Sequence, residues 1–410
     1  MPAVPAALAE PIDRLPLLDH HCHGVRTNDP PSAEAFEGWI AETTYPAAPG
    51  TSRWDTPVGL AIRRWCAPLL DLPPFPSPEA YLARRLELGA AAVNRRLLRA
   101  TGAATLLLDS GLRAGDIADS AAMANLSGAT TREIVRLEAV AEEVARGGVT
   151  AEAYPSAYAE LLRARSAEAV GLKTIVAYRH GFAFDPAPPS RDEVVAGVGR
   201  WLRAVDASIR PGPAATEGLA GVTRAARGGE APSPPRLAEP AVLRHAIWTG
   251  AELARERGLP LQVHVGYGDP DLTLHLTNPS LLTDLLRRFE DLGVTVTLLH
   301  CYPYHREAAY LADMFPRVYL DLGLALTFAG ASAGRLLAEA LEGAPFTKLL
   351  YSSDGYGAAE LHFLGAVHFR RALARALAAW LADDACTVAE AERIARLACS
   401  GNARRIYPLG

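Results

Sequence analysis

The sequence predicts an α/β protein, a (β/α)8 TIM-like barrel with a mainly helical insertion after the first strand. Two observations predict this fold. Eight short, apolar, β-prone runs alternate with helix-prone connections, and histidine or aspartate residues stand at the ends of several runs. Runs of such continuous apolar character are typical of parallel strands that are buried on both faces. A doubly wound open sheet would give the same alternation, so the polar residues at the strand ends favour the barrel.

The predicted strands are separated by connections with helical patterns, such as residues 158–168 and 281–291. Parallel neighbours require such crossovers, because each strand must return to the same edge of the sheet before the next begins. The eight predicted strands are residues 15–20, 104–109, 134–139, 170–177, 259–265, 294–300, 317–322 and 348–353.

We expect a single barrel domain over residues 1–410 with two long connections. Residues 24–102 end in a helical pattern with aromatic and arginine side chains, which predicts a helical insertion over the barrel mouth. Residues 208–240 are rich in proline, glycine and alanine, which predicts a flexible loop, either a lid or a disordered insertion.

Composition excludes several classes of function. The net charge is −5 and basic residues are interspersed with acidic ones, so no nucleic-acid partner is expected. No signal peptide or long apolar segment is recognisable, which favours a cytoplasmic protein without a membrane partner. The five cysteines lack CxxC spacing, which favours free thiols over a zinc ribbon. The expected partner is a small-molecule substrate, and a homo-oligomer is left open.

Histidines at the strand ends indicate a metal site. His21 and His23 lie two residues apart in LLDHHCHG, so both can face one ion while Cys22 projects away from it. His264 and His300 end later strands, and Asp354 follows the last one. Alone, a strand histidine could be a hydrogen-bonded core residue and an aspartate a helix cap. Together they converge on the face where barrel enzymes place their active sites.

The segments LPLLDHHCHG, LQVHVGYGDPD, LLHCYPYHREAAYLA and YSSDGYGAAELHFLGA resemble the metal-dependent amidohydrolase superfamily. The resemblance is closer to its branch of amidohydrolase-related proteins and N-terminal domains of nodulin/FluG-type proteins. It implies that the histidines and Asp354 surround the metal, with Asp354 and His300 as catalytic residues. Asp354 is then expected to accept a proton from the attacking water and pass it to the leaving group.

Lys173 decides how many metal ions are expected. Its segment, GLKTIVAYRHG, resembles the one that carries a carbamylated, metal-bridging lysine in hydantoinases and urease. Burial lowers the pKa of a lysine, and a neutral amine can take up CO2. The alternative is an unmodified lysine paired with a carboxylate such as Glu138. We therefore expect two zinc ions bridged by the carbamate of Lys173, although manganese, iron or nickel suit the same ligands.

Arg179 is a candidate for binding a substrate carboxylate in a bidentate manner. It could equally be a structural arginine that pairs with Asp109 or Glu138. Glu360 is expected to begin the eighth helix, where its charge suits the helix dipole. Three residues on the mouth loops are further candidates for substrate contacts: Tyr302, His305 and Asp269.

The leading hypothesis is a hydrolase that cleaves an amide or amidine-like C–N bond by attack of a metal-activated hydroxide. The resemblance suggests a carboxylate-bearing or γ-glutamyl amide substrate, because relatives of this branch are associated with glutamine-synthetase-like partners. A lyase, decarboxylase or isomerase of the same superfamily is the alternative, and a catalytically silent metal-binding protein is a third class.

Overall fold

A parallel sheet forms the centre of the molecule in a computed structural model that describes residues 6–112, 115–209 and 236–410. Its seven strands pair in chain order. They are β1 (Leu17–Cys22), β2 (Ala103–Asp109), β3 (Thr130–Arg136), β4 (Gly171–Thr174), β5 (Leu261–His264), β6 (Val296–Leu299) and β7 (Val318–Leu320).

The eighth predicted strand closes this sheet into a ring. Leu349 forms a parallel bridge to Leu320 of β7. On the other side, the backbone N–H of His20 in β1 donates to the carbonyl of Tyr351 at 3.1 Å. The last segment is thus hydrogen-bonded to both the first and the seventh strand, and the predicted TIM-like α/β fold is confirmed.

Helices surround the ring and fill the connections between its strands. Their chain order follows the alternation expected of parallel strands. The α-helices are Ala6–Arg14, Ala33–Trp39, Pro57–Ala61, Pro78–Leu88, Ala90–Ala100, Ser120–Ser127, Leu137–Arg146, Tyr154–Arg165, Val176–Arg179, Arg191–Ile209, Pro240–Arg257, Thr283–Leu292, His305–Met314, Gly323–Ala329, Ala333–Leu341, Ala359–Ala382, Val388–Arg396 and Asn402–Ile406.

The predicted third and fourth strands extend too far. β3 ends at Arg136 and a helix begins at Leu137, whereas β4 ends at Thr174 and a helical turn begins at Val176. In both places the apolar run continues into the first turn of a buried helix. An apolar run of this length has no periodicity that separates a buried strand from a buried helix.

The segment between β1 and β2 contains four of the α-helices and has its own apolar core. Phe36, Trp54 and Tyr81 are each at most 4% exposed and pack with one another. Glu360 links this segment to the barrel through hydrogen bonds. It accepts from Tyr81 Oη at 3.0 Å and from Arg85 Nε at 2.9 Å. The negative charge of Glu360 was expected to interact favourably with the helix dipole. Glu360 does lie in the first turn of Ala359–Ala382, but its main partner is the buried guanidinium of Arg85.

Part of the predicted flexible loop lies outside the described residues. The connection after β4 forms the helix Arg191–Ile209, which includes the first two residues of the predicted loop. Residues 210–235 are not among those that the structure describes.

One apolar stretch, Gly323–Leu341, is long enough to cross a membrane by length and composition alone, with a mean hydropathy of 1.2. Its α-helical parts are interrupted at Gly330–Ser332. Within the protein, 61% of its most apolar window is buried. This stretch therefore packs as part of the barrel's outer layer.

We predict that Asn402→Ala weakens the closure of the ring. The buried Nδ2 of Asn402 donates to the carbonyls of Phe346 and Leu349, each at 2.8 Å. Losing these donors leaves two carbonyls beside the eighth strand without their partners, which costs about 1–3 kcal/mol. Urea denaturation should show this loss for Asn402→Ala and none for the exposed control Arg404→Ala. Equal stability of the two variants would contradict the assignment.

Candidate metal centre

The C-terminal ends of the strands bring the six predicted metal-site residues to one place. All are buried except Asp354, whose side chain is 12% exposed. The residues are His21, His23, Lys173, His264, His300 and Asp354.

Asp354 lies at the centre of this group. Its Oδ1 atom is 3.0 Å from Nε2 of His21 and 3.5 Å from Nε2 of His23. Its Oδ2 atom is 3.4 Å from Nε2 of His300. One partly exposed carboxylate thus faces three imidazoles from the ends of β1 and β6.

His264 completes the ring of imidazoles. Its ring centroid lies 4.8 Å from that of His300 and 4.4 Å from that of Tyr178. Among the residues that the structure describes, the buried Nε2 of His264 has no hydrogen-bond partner, and neither ring nitrogen of His300 has one. Buried polar atoms normally find partners, so these nitrogens indicate a place for a ligand.

Lys173 contacts both the histidines and a carboxylate. Its Nζ atom is 2.8 Å from Nε2 of His21 and 3.3 Å from Oδ2 of Asp109. Arg136 donates to the same Asp109 oxygen through Nη2 at 2.6 Å and Nε at 3.0 Å. Lys173 therefore lies beside a buried arginine–aspartate ion pair.

Glu138 is not the carboxylate that pairs with Lys173. It lies in the first turn of Leu137–Arg146, and its Oε1 accepts from Thr174 Oγ1 at 2.6 Å and from the Ile175 N–H at 3.0 Å. The strand had been expected to continue through this position. Because β3 ends two residues earlier, Glu138 instead binds the backbone beyond β4.

Asp109 and Arg136 were not assigned to the metal site from the sequence. They are the last residues of β2 and β3, so the rule that selected His264 and His300 also applies to them. They were passed over because neither residue stands in a histidine motif. Asp109 also receives the N–H of Gly111 at 3.0 Å.

The first strand departs from simple alternation. Its register on β2 shifts between Asp19 and Cys22. His20 binds Asp321 at 2.8 Å and Tyr407 at 2.9 Å, whereas His21 faces Asp354. Cys22 contacts the carbonyl of Leu107 at 3.7 Å and does not join the imidazoles around Asp354.

Cys22 has different neighbours that could also hold a metal ion. Its thiol lies within 4.8 Å of ligand atoms of Asp19 and His362. The Asp19 carboxylate is already satisfied, because it accepts from the N–H of Ser353 at 2.9 Å and from its hydroxyl at 2.5 Å. This trio is therefore a weaker candidate than the group around Asp354.

The backbone positions two of the polar residues in unusual conformations. His300 has φ 69° and Asp354 has φ 50°, a left-handed region that residues other than glycine enter rarely. The N–H of His300 donates to Oδ1 of Asp321 at 2.9 Å, which stabilises this turn. Such backbone outliers concentrate at functional sites.

A close approach near His300 requires glycine at position 323. A Cβ atom there would lie 2.2 Å from Oγ of Ser352, 2.9 Å from Oδ1 of Asp321 and 3.0 Å from Nδ1 of His300. Contacts under 3.0 Å are not tolerated. Gly323 therefore lets the start of the helix Gly323–Ala329 lie against His300 and its neighbours.

The imidazoles of His21, His264 and His300 are neutral near neutral pH. Burial, followed by the charge of Lys173, lowers the pKa of His21 to about 3. Burial also lowers the pKa of His264 and of His300 below the usual value. A metal ion requires this neutral form, because only it offers a free lone pair.

The carboxylates, in contrast, are ionised. Burial acts to raise the pKa of Asp354, but the imidazoles of His300 and His21 outweigh it and hold the pKa well below its usual range. At Asp109 the charges of Arg136 and Lys173 likewise overcome burial and lower the pKa.

This donor set fits a divalent metal ion. Two groups have all their ligand atoms within 4.8 Å of one another: His21, His23 and Asp109, and His21, His300 and Asp354. Neutral imidazoles, ionised carboxylates and unpartnered ring nitrogens meet there. Imidazole and carboxylate ligands suit zinc, and also manganese, iron or nickel.

The predicted substrate contacts are distributed differently. Nη2 of Arg179 is 3.0 Å from Oε1 of Glu142, so its partner is neither Asp109 nor Glu138. Glu142 lies one helical turn beyond Glu138, on the same face of Leu137–Arg146. The buried Nε and Nη1 of Arg179 have no hydrogen-bond partner within the described part of the chain.

His305 contacts a neighbouring helix, and Tyr302 stacks on His305. Nε2 of His305 lies 2.8 Å from Glu339 Oε2, on the helix Ala333–Leu341. The ring of Tyr302 stacks on that of His305, with centroids 6.0 Å apart. A substrate contact by His305 has no support in this geometry, because the helix that it begins packs against its neighbour.

Asp269 and Glu42 lie within electrostatic range of the metal-site residues, and Glu42 was not predicted from the sequence. Burial, and then the charges of Asp354 and Asp269, raise the pKa of Glu42 well above its usual value. Glu42 comes from the segment between β1 and β2. Its position carried no motif, so only the folded chain brings it to the mouth.

A parallel barrel with histidines and an aspartate at its strand ends defines a class of metal-dependent barrel enzymes. A family model described as Amidohydrolase matches residues 19–409. The chain therefore belongs to the amidohydrolase family, as the sequence motifs predicted.

Similar proteins support this assignment. Protein fluG of Emericella nidulans is 27% identical over 435 residues, covering 98% of this chain and 47% of the relative. The chain thus spans about half the length of this curated relative. A crystal structure from Lactobacillus casei, described as a candidate metal-dependent hydrolase, is 28% identical with a TM-score of 0.77, covering 97% of this chain and 96% of that chain.

A glucuronate isomerase from Caulobacter crescentus has the same fold. It is 16% identical, with a TM-score of 0.63, and the match covers 100% of this chain and 95% of that chain. At this identity the similarity concerns the fold alone.

We predict that His264→Ala weakens zinc binding by more than about 100-fold, because even the residues that support metal ligands are worth 10–100-fold in affinity. Competition with a zinc indicator would measure this. His275→Ala is the matched control, because His275 is exposed on the loop that follows His264, and its affinity should be unchanged. Equal zinc affinity in both variants would remove His264 from the metal centre.

Proposed function

We propose that this protein is a metal-dependent hydrolase that cleaves the C–N bond of an amide or amidine-like substrate. The observation that carries the proposal is the carboxylate of Asp354, which faces three imidazoles at 3.0–3.5 Å and is still 12% exposed. An ionised carboxylate among neutral imidazoles at a barrel mouth can both contribute to a metal site and accept a proton.

The residues proposed to hold the metal are His21, His23, His264, His300 and Asp354, with Lys173 as the bridging residue if it is carbamylated. When bound, the metal supplies a water of lowered pKa and polarises the carbonyl under attack. Zinc is the proposed ion, and its donors are supplied without cysteine.

Asp354 is proposed as the group that moves the proton. Its carboxylate is ionised, so it can accept a proton from the attacking water. The protonated carboxyl can then donate to the departing nitrogen, which leaves as a neutral amine. The left-handed turn at Asp354 aims this carboxylate toward the mouth, and its contacts with His21 and His300 keep it there.

The burial of Lys173 supports the proposal of a carbamate. Burial lowers the pKa of Lys173, partly opposed by the charge of Asp109 and reinforced by Arg136. A larger neutral fraction of the amine favours reaction with CO2. A carbamate would place an anionic oxygen pair next to Arg136, which offers a compensating positive charge.

The proposed substrate carries a carboxylate, and a γ-glutamyl amide is one example. Arg179 supports this, because two of its nitrogens have no hydrogen-bond partner among the described residues, although Glu142 binds the third. The charge of Asp269, which also acts on Glu42, disfavours an anionic group on the Glu42 side of the mouth. The carboxylate is therefore proposed to bind on the Arg179 side of the mouth.

A lyase, decarboxylase or isomerase with one metal ion is the second candidate. The contact that favours it is the 3.3 Å ion pair between Lys173 and Asp109, which suits an unmodified lysine. In that case Lys173 would remain a cation and could not bridge two metal ions.

We predict that Asp354→Asn retains bound metal but lowers kcat by about 10²–10⁴-fold, the range associated with the loss of a general acid–base group. The amide keeps an oxygen ligand but cannot accept the proton. Metal content by mass spectrometry and turnover of a carboxamide panel would test this. Asp313→Asn, at an exposed position, should behave like the unaltered protein. Full activity in Asp354→Asn would exclude the proposed role.

A separate measurement distinguishes the two candidate reactions. We predict two metal ions per chain and, by mass spectrometry of the intact protein under CO2, an added carbamate that Lys173→Arg abolishes. Lys173→Met provides a second variant that cannot be carbamylated and carries no charge. One metal ion with no carbamate, together with turnover of a sugar acid and none of a carboxamide, would favour the second candidate.

A further inference from the structure

A second cavity lies apart from the metal centre. It has a volume of about 610 Å³ and is bounded by residues 54–65 and Phe75, by residues 329–334 and by the helix Ala359–Ala382. None of the proposed metal ligands lines it. Pockets for small molecules are typically about 300–1,000 Å³, so its size suits a ligand.

The walls of this cavity combine apolar surface with positive charge. Trp54, Leu60 and Phe75 supply apolar side chains, and the last two are 52% and 51% exposed at its rim. Arginine side chains occupy the remaining wall, and Asp55 is the acidic residue among the lining. The lining arginines are Arg63, Arg64, Arg371 and Arg375.

Three of these arginines lie near one another without a carboxylate in ion-pair contact, among the residues that the structure describes. The guanidinium groups of Arg64 and Arg371 both lie over the ring of Trp65, at 4.3 and 4.6 Å from its centroid. Burial and the charge of Arg375 lower the pKa of Arg371, with Asp13 acting in the opposite direction. Within the described part of the chain, Arg64, Arg371 and Arg375 form no ion pair with a carboxylate within 4.0 Å.

His368 adds an unsatisfied polar atom to the same wall. It is 5% exposed and lines the cavity, and its buried Nε2 has no hydrogen-bond partner among the described residues. Burial, and then the charges of Arg371 and Arg375, lower the pKa of His368 to about 4. The neutral imidazole can therefore donate to or accept from a ligand without adding further positive charge.

We propose that this cavity binds a small organic anion whose carboxylate or phosphate group contacts Arg371 and Arg375 and whose apolar part packs on Trp54 and Leu60. Arginine binds both kinds of oxyanion in a bidentate manner. An anion would relieve the mutual repulsion of the guanidinium groups and provide a partner for His368. The apolar wall gives preference to an anion with a hydrocarbon or aromatic body over an inorganic ion.

Isothermal titration of the full-length, metal-loaded protein with sodium octanoate, octyl phosphate and octanol tests the proposal. At least one of the two anions should bind one molecule per chain, and octanol should bind at least 10-fold more weakly. The tighter of the two anions identifies the preferred head group. Absence of binding by both anions, or equal binding of octanol, would overturn the proposal.

Charge variants locate the binding site. Arg371→Gln with Arg375→Gln should weaken anion binding at least 10-fold, whereas Arg95→Gln with Arg404→Gln, at exposed positions outside the cavity, removes the same charge and should leave it unchanged. Leu60→Asp places a repelling carboxylate at the exposed rim and should also weaken binding at least 10-fold. Unchanged affinity in either cavity variant, with an unchanged Tm, would refute this location.

Discussion

Backbone hydrogen bonds between the first strand and the last segment hold the metal-site residues in register. The N–H of Asp354 donates to the carbonyl of His21 at 3.1 Å, and the N–H of His23 donates to the carbonyl of Gly355 at 2.8 Å. These two bonds bring one carboxylate against two imidazoles without using any side-chain atom. The strand pairing therefore does not consume the ring nitrogens, and the same bonds also close the barrel.

Burial gives this group its charge state. Removing an imidazole from water disfavours its cation, so His21, His264 and His300 stay neutral. Neighbouring cations and imidazoles keep Asp109 and Asp354 ionised. A divalent ion can therefore enter without first displacing many protons. The metal-site residues bear a charge pattern that suits a cation before one arrives.

The strand ends were predictable from the sequence, and the long-range pairings were not. An apolar run that ends in histidine identifies His264 and His300, because the parallel topology sends all such ends to one face. The partner of Arg179 could not be predicted, because Glu142 and one alternative, Glu138, lie on the same helix and only packing selects one. The shift in β1 that turns His20 toward Asp321 has no pattern in the sequence, since it depends on the register with β2.

The buried pair of Arg85 and Glu360 makes the first long connection inseparable from the barrel. Both side chains are at most 1% exposed, and breaking a buried pair by removing one member costs about 3–5 kcal/mol. A shortened barrel without residues 24–102 would expose the start of Ala359–Ala382 and leave a carboxylate without its cation. This connection and the helix that begins at Ala359 can therefore be exchanged between related barrels only together.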